Sequence, residues 1–428
     1  MRKKVKILSV VLALLMIIPL LFACNDAKKG NEETTASDRQ NTDNAVLKIN
    51  GVSFSEYSVV YSKENGGEAA FEYFNHKLEE AYGIALNGST KMGDGYEILI
   101  GLDGGDDAVS EAYSKNPDGV IGVSGKKIVL LGCNLGATRQ VIDCFLEKAI
   151  DGESGSGKQI TVTQCEAANV KKTALTVMSY NILYDMDKEG RSEACREEML
   201  ATIMEEDPDV IGMQEVTTDH RKYFEKNMTG YSCCAGADET LSNDIYWKTE
   251  KFKLIKKGYF YMSDTPTVKS KFEGSNSNRT FTFVILEVKE TGNQFLFVDV
   301  HVDYRALDTV RAKQLAVLTS LLPKINKNDL PVVVVGDFNS NGNEASIPRF
   351  LTENPTIKKA SDVAETKGDI GGTLAGSAFE IRDNKYTFDY VFVTTDKVET
   401  QYYTVVNNVV NGKYPSDHLP VLAKIVVY

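Results

Sequence analysis

The 428-residue chain is short of positive charge, of histidine and of patterned cysteine, and each shortage removes a class of function. Its 48 Lys and Arg face 60 Asp and Glu, for a net charge of −12. A general nucleic-acid coat protein is normally basic, so that class is excluded. An enzyme acting on phosphate esters is not, because a metal ion or a local basic groove offsets phosphate charge. Seven cysteines occur. The six beyond Cys24 (Cys133, Cys144, Cys165, Cys195, Cys233 and Cys234) fit no zinc-ligand spacing. They are expected to be structural thiols rather than a disulfide framework. Adjacent Cys233 and Cys234 would point to opposite faces of a strand and so cannot pair with each other. Histidine is scarce, with four in all. His76 and His220 stand in no motif and read as surface residues. His301 and His418 each stand beside an aspartate in a motif.

The start of the chain, by contrast, reads as an export signal. Met1-Arg2-Lys3-Lys4-Val5-Lys6 is basic, and Ile7 to Ala23 is apolar apart from Ser9. Its end, Leu21-Phe22-Ala23-Cys24, resembles a bacterial lipobox. That resemblance implies lipidation of Cys24 and attachment to the outer face of the bacterial cell membrane. The other reading is an uncleaved anchor, although about 17 apolar residues barely span a bilayer. Residues 25–44 are polar, without apolar periodicity, and read as a disordered tether.

Composition elsewhere is that of a globular protein, with 42% hydrophobic and 25% charged residues. Residues 45–168 are expected to form a small α+β accessory domain. Phe71, Phe74, Leu78 and Tyr82 have helical spacing. Tyr96 to Gly101 reads as a strand, and Gly119 to Leu131 as a hairpin turning at Ser124-Gly125-Lys126. A helix is expected over Thr138–Ile150 and a strand over Gln159–Thr163. The region loosely resembles the small non-catalytic domain that precedes the barrel in several secreted glycoside hydrolases. Gly152 to Lys158 matches the G-x-x-x-x-G-K phosphate loop, but Gln159 replaces the Ser or Thr that would reach magnesium. The loop also follows a helix and precedes a strand, the reverse of the required context, so it is read as a turn.

From residue 170 to 428 strand-like runs dominate. Pro331 to Val335 has no polar face and should be buried on both sides. Other strands alternate, and helices are expected at about Ser192–Glu206, Ala306–Leu322 and Ser346–Glu353. Two packed sheets with helices outside satisfy both patterns. Most of these runs close on a polar cluster: Tyr180-Asn181, Gln214-Glu215, His301-Val302-Asp303, and Gly336-Asp337-Phe338-Asn339. Thr387-Phe388-Asp389 and Ser416-Asp417-His418 complete the set. Asp337 and Asn339 alternate along one strand exit and should face one side. Carboxylates, amides and histidines brought to one sheet edge can hold a hard divalent cation and cleave a phosphate ester. Each cluster alone is no more than a strand-end cap or turn.

Taken in this order, the clusters resemble the endonuclease/exonuclease/phosphatase superfamily over residues 170–428. The resemblance implies an α/β fold, a DNase I-like four-layer sandwich of two packed mixed β-sheets flanked by helices. It implies a Mg²⁺ or Mn²⁺ cofactor held by Glu215, with Asn181 beside it and Asp417 completing the shell. Asp337 would orient or deprotonate the attacking water, and Asn339 would support the phosphate. His418 would stabilise developing charge as an imidazolium or act as base when neutral; the resemblance pairs it with an orienting Asp389 and has His301 bond a phosphate oxygen. Arg279 would support the site from behind. The implied substrate is a phosphate ester: a nucleic acid, a phospholipid or a sugar phosphate, with nuclease, phosphodiesterase and phosphomonoesterase all open. The implied state is a monomer on a lipid anchor. The rival class is a surface binding protein whose catalytic core has decayed. The presence of every ionisable motif position speaks against it.

Overall fold

β-Branched and aromatic runs make the strands of the C-terminal region, and their period-2 alternation assigns each side chain to one of two cores. In Gln294–His301, Phe295 and Phe297 point into a central core while Leu296, Val298 and Val300 point to an outer one. Val332–Asp337 behaves the same way, with Val333 and Val335 central and Val332 and Val334 outer. Both strands are buried on two faces, as expected for sheets covered by helices. The computed structural model describes residues 47–64, 66–152, 157–184, 192–237, 241–375, 386–410 and 412–428. Cys24, the stretch read as an export signal and the expected tether over residues 25–44 lie outside the described residues.

One seven-stranded sheet runs in the order Tyr231–Cys234, Ser242–Lys248, Val210–Val216, Thr173–Asn181, Val421–Val427, Val398–Val405, Thr366–Lys367. The other, six-stranded, runs Phe252–Tyr261, Thr280–Val288, Gln294–His301, Val332–Asp337, Asp389–Thr394, Ile357–Lys359. Their facing sides share the central core. Helices Ser192–Glu206 and Thr218–Asn227 cover the first sheet through Met199, Ile203 and Phe224. Helices Asp308–Ile325 and Ser346–Glu353 cover the second through Leu315, Leu318, Ile347 and Phe350. The fold is therefore the expected α/β four-layer sandwich.

Ala45–Tyr428 is one compact unit. Its N-terminal region has a six-stranded mixed sheet centred on Lys127–Gly132, Tyr96–Ile100 and Tyr57–Tyr61, and a small four-stranded sheet. Helices Gly67–Tyr82 and Leu135–Glu147 pack on it through Phe74, Leu78 and Phe145. This region meets the sandwich at the start of Val332–Asp337: Arg139 Nη2 lies 2.6 Å from Asp329 Oδ2, and Gly136 N–H donates to Asp396 O at 3.3 Å.

Several local expectations change. Helix Thr218–Asn227 was not anticipated, because its sequence is strongly polar. It is set by Thr217, whose Oγ1 accepts from His220 N at 3.2 Å while His220 Nδ1 accepts from Thr217 N at 3.4 Å. His220 is therefore buried rather than a surface residue. Lys158 pairs antiparallel with Asp151, so the G-x-x-x-x-G-K stretch joins two strands and no helix follows it. Cys133, Cys144, Cys165, Cys233 and Cys234 are free thiols.

Candidate active site

Alternation along the strands carries the catalytic set. Val177, Ser179 and Asn181 point between the sheets, as do Phe297, Asp299 and His301, Val333, Val335 and Asp337, and Asp389, Val391 and Val393. The inter-sheet core thus ends in Asn181, His301, Asp337 and Asp389. Register fixes the neighbours: His301 pairs with Asp337, and Asp337 pairs with Asp389. The seam turns polar one layer earlier, where Gln214 Nε2 donates to Asp299 Oδ1 at 2.6 Å and to Ser179 Oγ at 3.1 Å. The sheets approach closely there. A Cβ on Gly212 would stand 2.6 Å from Val335 Cγ2 and 2.8 Å from Asp299 Cγ.

Glu215 reaches the seam by breaking that alternation. Following Gln214, it would face the outer layer. A register shift between Met213 and Val216 marks a bulge, and Glu215 takes φ +63° within it. Val216 then falls in the outer core and Glu215 turns toward the site. Asn339, at φ +46°, is a second left-handed residue of this site. Such conformations are costly for side-chain-bearing residues and cluster where function requires them.

Asp337 is the hub. Its Oδ2 accepts from Asn181 Nδ2 and Asn339 Nδ2, both at 3.0 Å, and its Oδ1 from Asn339 N at 2.8 Å. His301 Nε2 lies 3.4 Å and His418 Nε2 3.8 Å from Oδ2. Burial pushes the Asp337 carboxyl up to about 7 against the lowering pull of His418. His418 Nδ1 bonds Asp389 Oδ2 at 2.8 Å. Burial opposes charge on His418, but Asp389 and Asp337 outweigh it and hold its pKa well above the ordinary histidine value.

The second histidine is held in the opposite state. Arg279 Nη1 lies 2.9 Å from His301 Nδ1. A guanidinium can only donate, so Nδ1 is the acceptor and Nε2 carries the hydrogen. Burial, then Arg279 and His418, press its pKa well below the ordinary value. His301 Nε2 has no hydrogen-bond partner among the described residues. The site therefore holds one imidazolium and one neutral imidazole with an idle N–H.

The structure brings Glu215, Asn181, His301, Asp337, Asn339, Asp389 and His418 together. His418 closes the end of the core and is buried. Asn181 and Asn339 present their amide N–H groups to carboxylates. Asn181 Oδ1 accepts from Leu183 N at 3.1 Å, and its Nδ2 lies 3.4 Å from Glu215 Oε1. Asn339 Nδ2 also donates to Val302 O at 3.0 Å. In this arrangement both amides donate to the Asp337 carboxylate. Asp417 is half-buried beside His418. Burial raises its carboxyl, with Glu215 adding to the effect. Asp303 is a loop anchor: Oδ2 accepts from Asn276 N and Ser277 N, and Oδ1 from Arg305 N and Ala306 N.

Asp337, Asp389 and His418 each bring a ligand-type atom within 4.8 Å of the others. His418 Nδ1 and Asp389 Oδ2 are already bonded to each other, so this group is first a hydrogen-bonded pair charge-coupled to Asp337. Glu215 suits a hard cation better. Its side chain keeps 15% exposure, and its carboxylate accepts only from Tyr184 N at 3.0 Å and Asn181 among the described residues. The donor set therefore fits one divalent cation on Glu215.

The model of the Endonuclease/Exonuclease/phosphatase family matches residues 178–418. Nocturnin of Xenopus laevis is 24% identical over 296 residues, covering 59% of this chain and 73% of that protein. The chain spans 63 to 66% of the mammalian nocturnins it matches. Among solved structures, an endonuclease/exonuclease/phosphatase family protein of Bacteroides thetaiotaomicron aligns with TM-score 0.56 and 23% identity, over 60% of this chain and 96% of that one. The mannosyl-6-phosphatase of the same organism aligns with TM-score 0.55 and 23% identity, over 59% and 99%. These likenesses concern the sandwich fold.

Proposed function

The chain belongs to the endonuclease/exonuclease/phosphatase family, and we propose that it is a Mg²⁺- or Mn²⁺-dependent phosphoesterase, held at the outer face of a bacterial membrane through Cys24. Phosphoester hydrolysis is the class of chemistry of that family. The observation that carries the reading is the paired state of the two histidines around Asp337. One is cationic and the other is a neutral donor, and both ring Nε2 atoms lie within 3.8 Å of one carboxylate oxygen.

The residues divide the work. Asp337, raised toward neutrality and fixed by two amides, takes the proton of the attacking water. His301 donates Nε2–H to a phosphoryl oxygen. His418, charged and fixed by Asp389, donates to the oxygen that gathers charge as the ester bond breaks. Glu215 would hold the divalent cation, which when bound supplies positive charge to the phosphoryl oxygens. The bulge and the register pairs preorganise these groups before substrate arrives.

The substrate class is a phosphate ester: nucleic acid, phospholipid or sugar phosphate. A monomer is the reading for the assembled state. The test is hydrolysis by the purified chain of plasmid DNA, RNA, sphingomyelin and soluble phosphomonoesters, with and without Mg²⁺. Turnover of at least one that disappears on chelation and in Glu215→Gln is expected. No turnover of any, with intact folding, would favour the decayed binding protein. For the anchor, Cys24→Ser should abolish lipid labelling. Labelling that persists would overturn that part. No helix among the described residues is long and apolar enough to cross a membrane.

A further inference from the structure

A cleft of about 230 Å³ opens beside His301, lined also by Asn243, Lys271, Ser277, Arg279 and Thr280. Its charge is opposite to that of the chain as a whole, which carries −12. Arg279 is 8% exposed. It spends Nη1 on His301, its Nε has no partner, and no carboxylate of the described residues lies within ion-pair distance. Tyr304 lies against the guanidinium, 5.8 Å from ring centroid to Cζ. Among the described residues, exposed Lys271 donates only to the backbone oxygen of Asn276, at 3.2 Å, and buried Ser277 Oγ has no partner. A buried guanidinium without a counter-charge is unfavourable unless something supplies one. Asp303, whose carboxylate bonds the 276–277 wall, has both oxygens committed to four backbone N–H groups. That commitment pins the 276–277 wall of the cleft, and no carboxylate among the described residues neutralises its two cations.

Resting on the phosphoesterase reading, we infer that this cleft binds a second anionic group of the substrate, so that the preferred ester carries two acidic groups on a short spacer. His301 belongs to both places, so the two groups are neighbours. The cleft is smaller than the pockets of roughly 300 Å³ and more that enclose drug-sized ligands. It suits a phosphate or carboxylate with a few attached atoms, not a duplex. Lys271 and Arg279 supply charge-assisted donors, and Ser277 a hydroxyl.

The experiment compares hydrolysis of fructose 6-phosphate and fructose 1,6-bisphosphate by the full chain with Mg²⁺, in the wild type and in Lys271→Met. Lys271 is exposed and touches none of the catalytic side chains, so the variant should fold and should keep its rate on the monophosphate. The wild type is expected to show a kcat/KM on the bisphosphate about ten-fold or more above the monophosphate, through KM. Lys271→Met should lose most of that advantage. Equal rates on both esters, or an advantage untouched in Lys271→Met, would overturn the inference and leave phosphoester hydrolysis standing. No turnover of either ester, alongside turnover of a nucleic acid or phospholipid, would also overturn it. Absence of turnover on every ester would instead remove the reading on which it rests.

Discussion

Charge is handled in opposite ways at the two ends of the sandwich. Where the N-terminal region packs, opposite charges meet directly. Asp329 accepts from Lys397 Nζ on Oδ1 and from Arg139 Nη2 on Oδ2, each at 2.6 Å. At the other end, His418 pairs with Asp389 at 2.8 Å, but the central groups stay unpaired. Asp337 is surrounded by two imidazoles and two amides, with no Lys or Arg of the described residues in ion-pair range. Arg279 bonds His301 and has no carboxylate partner among the described residues. Pairing of the first kind needs no explanation beyond stability. The second kind raises the energy of the empty protein, and the groups that do so are those a phosphate ester and a cation would satisfy.

The comparison breaks most visibly at Asp337. Asp337→Asn keeps shape and removes the base, so kcat should fall by roughly 10²–10⁴. Stability should hold or rise, because a neutral amide takes the place of a buried carboxylate. Full activity with an unchanged melting temperature would place the chemistry elsewhere. His418→Ala is a harsher change. It strands buried Asp389, so both kcat and melting temperature should drop, unlike the small stability effect an exposed histidine would give.

Glu215→Gln should lower kcat by about 10² and flatten the response to Mg²⁺, since a neutral amide is a weaker ligand for a hard cation. Titration of activity against Mg²⁺ gives the result. A metal response identical to the wild type would move the cation to the Asp337, Asp389 and His418 group.

These residues were visible in the sequence because each strand announces its end by a switch from apolar to polar. Val332 to Val335 could only be a buried strand, so Asp337 had to emerge at its tip. What could not be read was everything set by contact between distant segments. The bulge that turns Glu215 inward leaves no mark in Met213-Gln214-Glu215-Val216. The tautomer of His301 depends on Arg279, 22 residues away, which sequence placed only as support. His220 gave the reverse error. Its polar surroundings read as surface, and only the capping geometry of Thr217 shows why it is buried.

Gly336 sharpens the contrast from the structural side. It has φ +146°, and a Cβ there would lie 2.0 Å from Val300 O. Gly336→Ala should destabilise the fold by about 1–3 kcal/mol in urea titration. Because Gly336 precedes Asp337, kcat should fall as well. A neutral effect on both would mean that this tight approach of the strands can relax.

The smallest effect belongs to the paired end. Burial pushes the Asp329 carboxyl up, but Lys397 and Arg139 outweigh it and hold it below the usual carboxylate range. A carboxyl depressed in the folded state contributes stability that is present above its unfolded pKa, about 3.9. That stability is lost as pH falls through the lower folded value. Lys397→Met should therefore reduce stability near neutral pH and shrink its loss on acidification below about pH 4. The change should stay within about 1 kcal/mol, since the Asp329 side chain is 54% exposed and Arg139 remains. The kcat should not move, because the six-residue strand Val332–Asp337, about 20 Å long, separates this end from the catalytic carboxylate. A drop in kcat at constant stability would show that the two ends are coupled, and that the ion pairs serve the site as well as the fold.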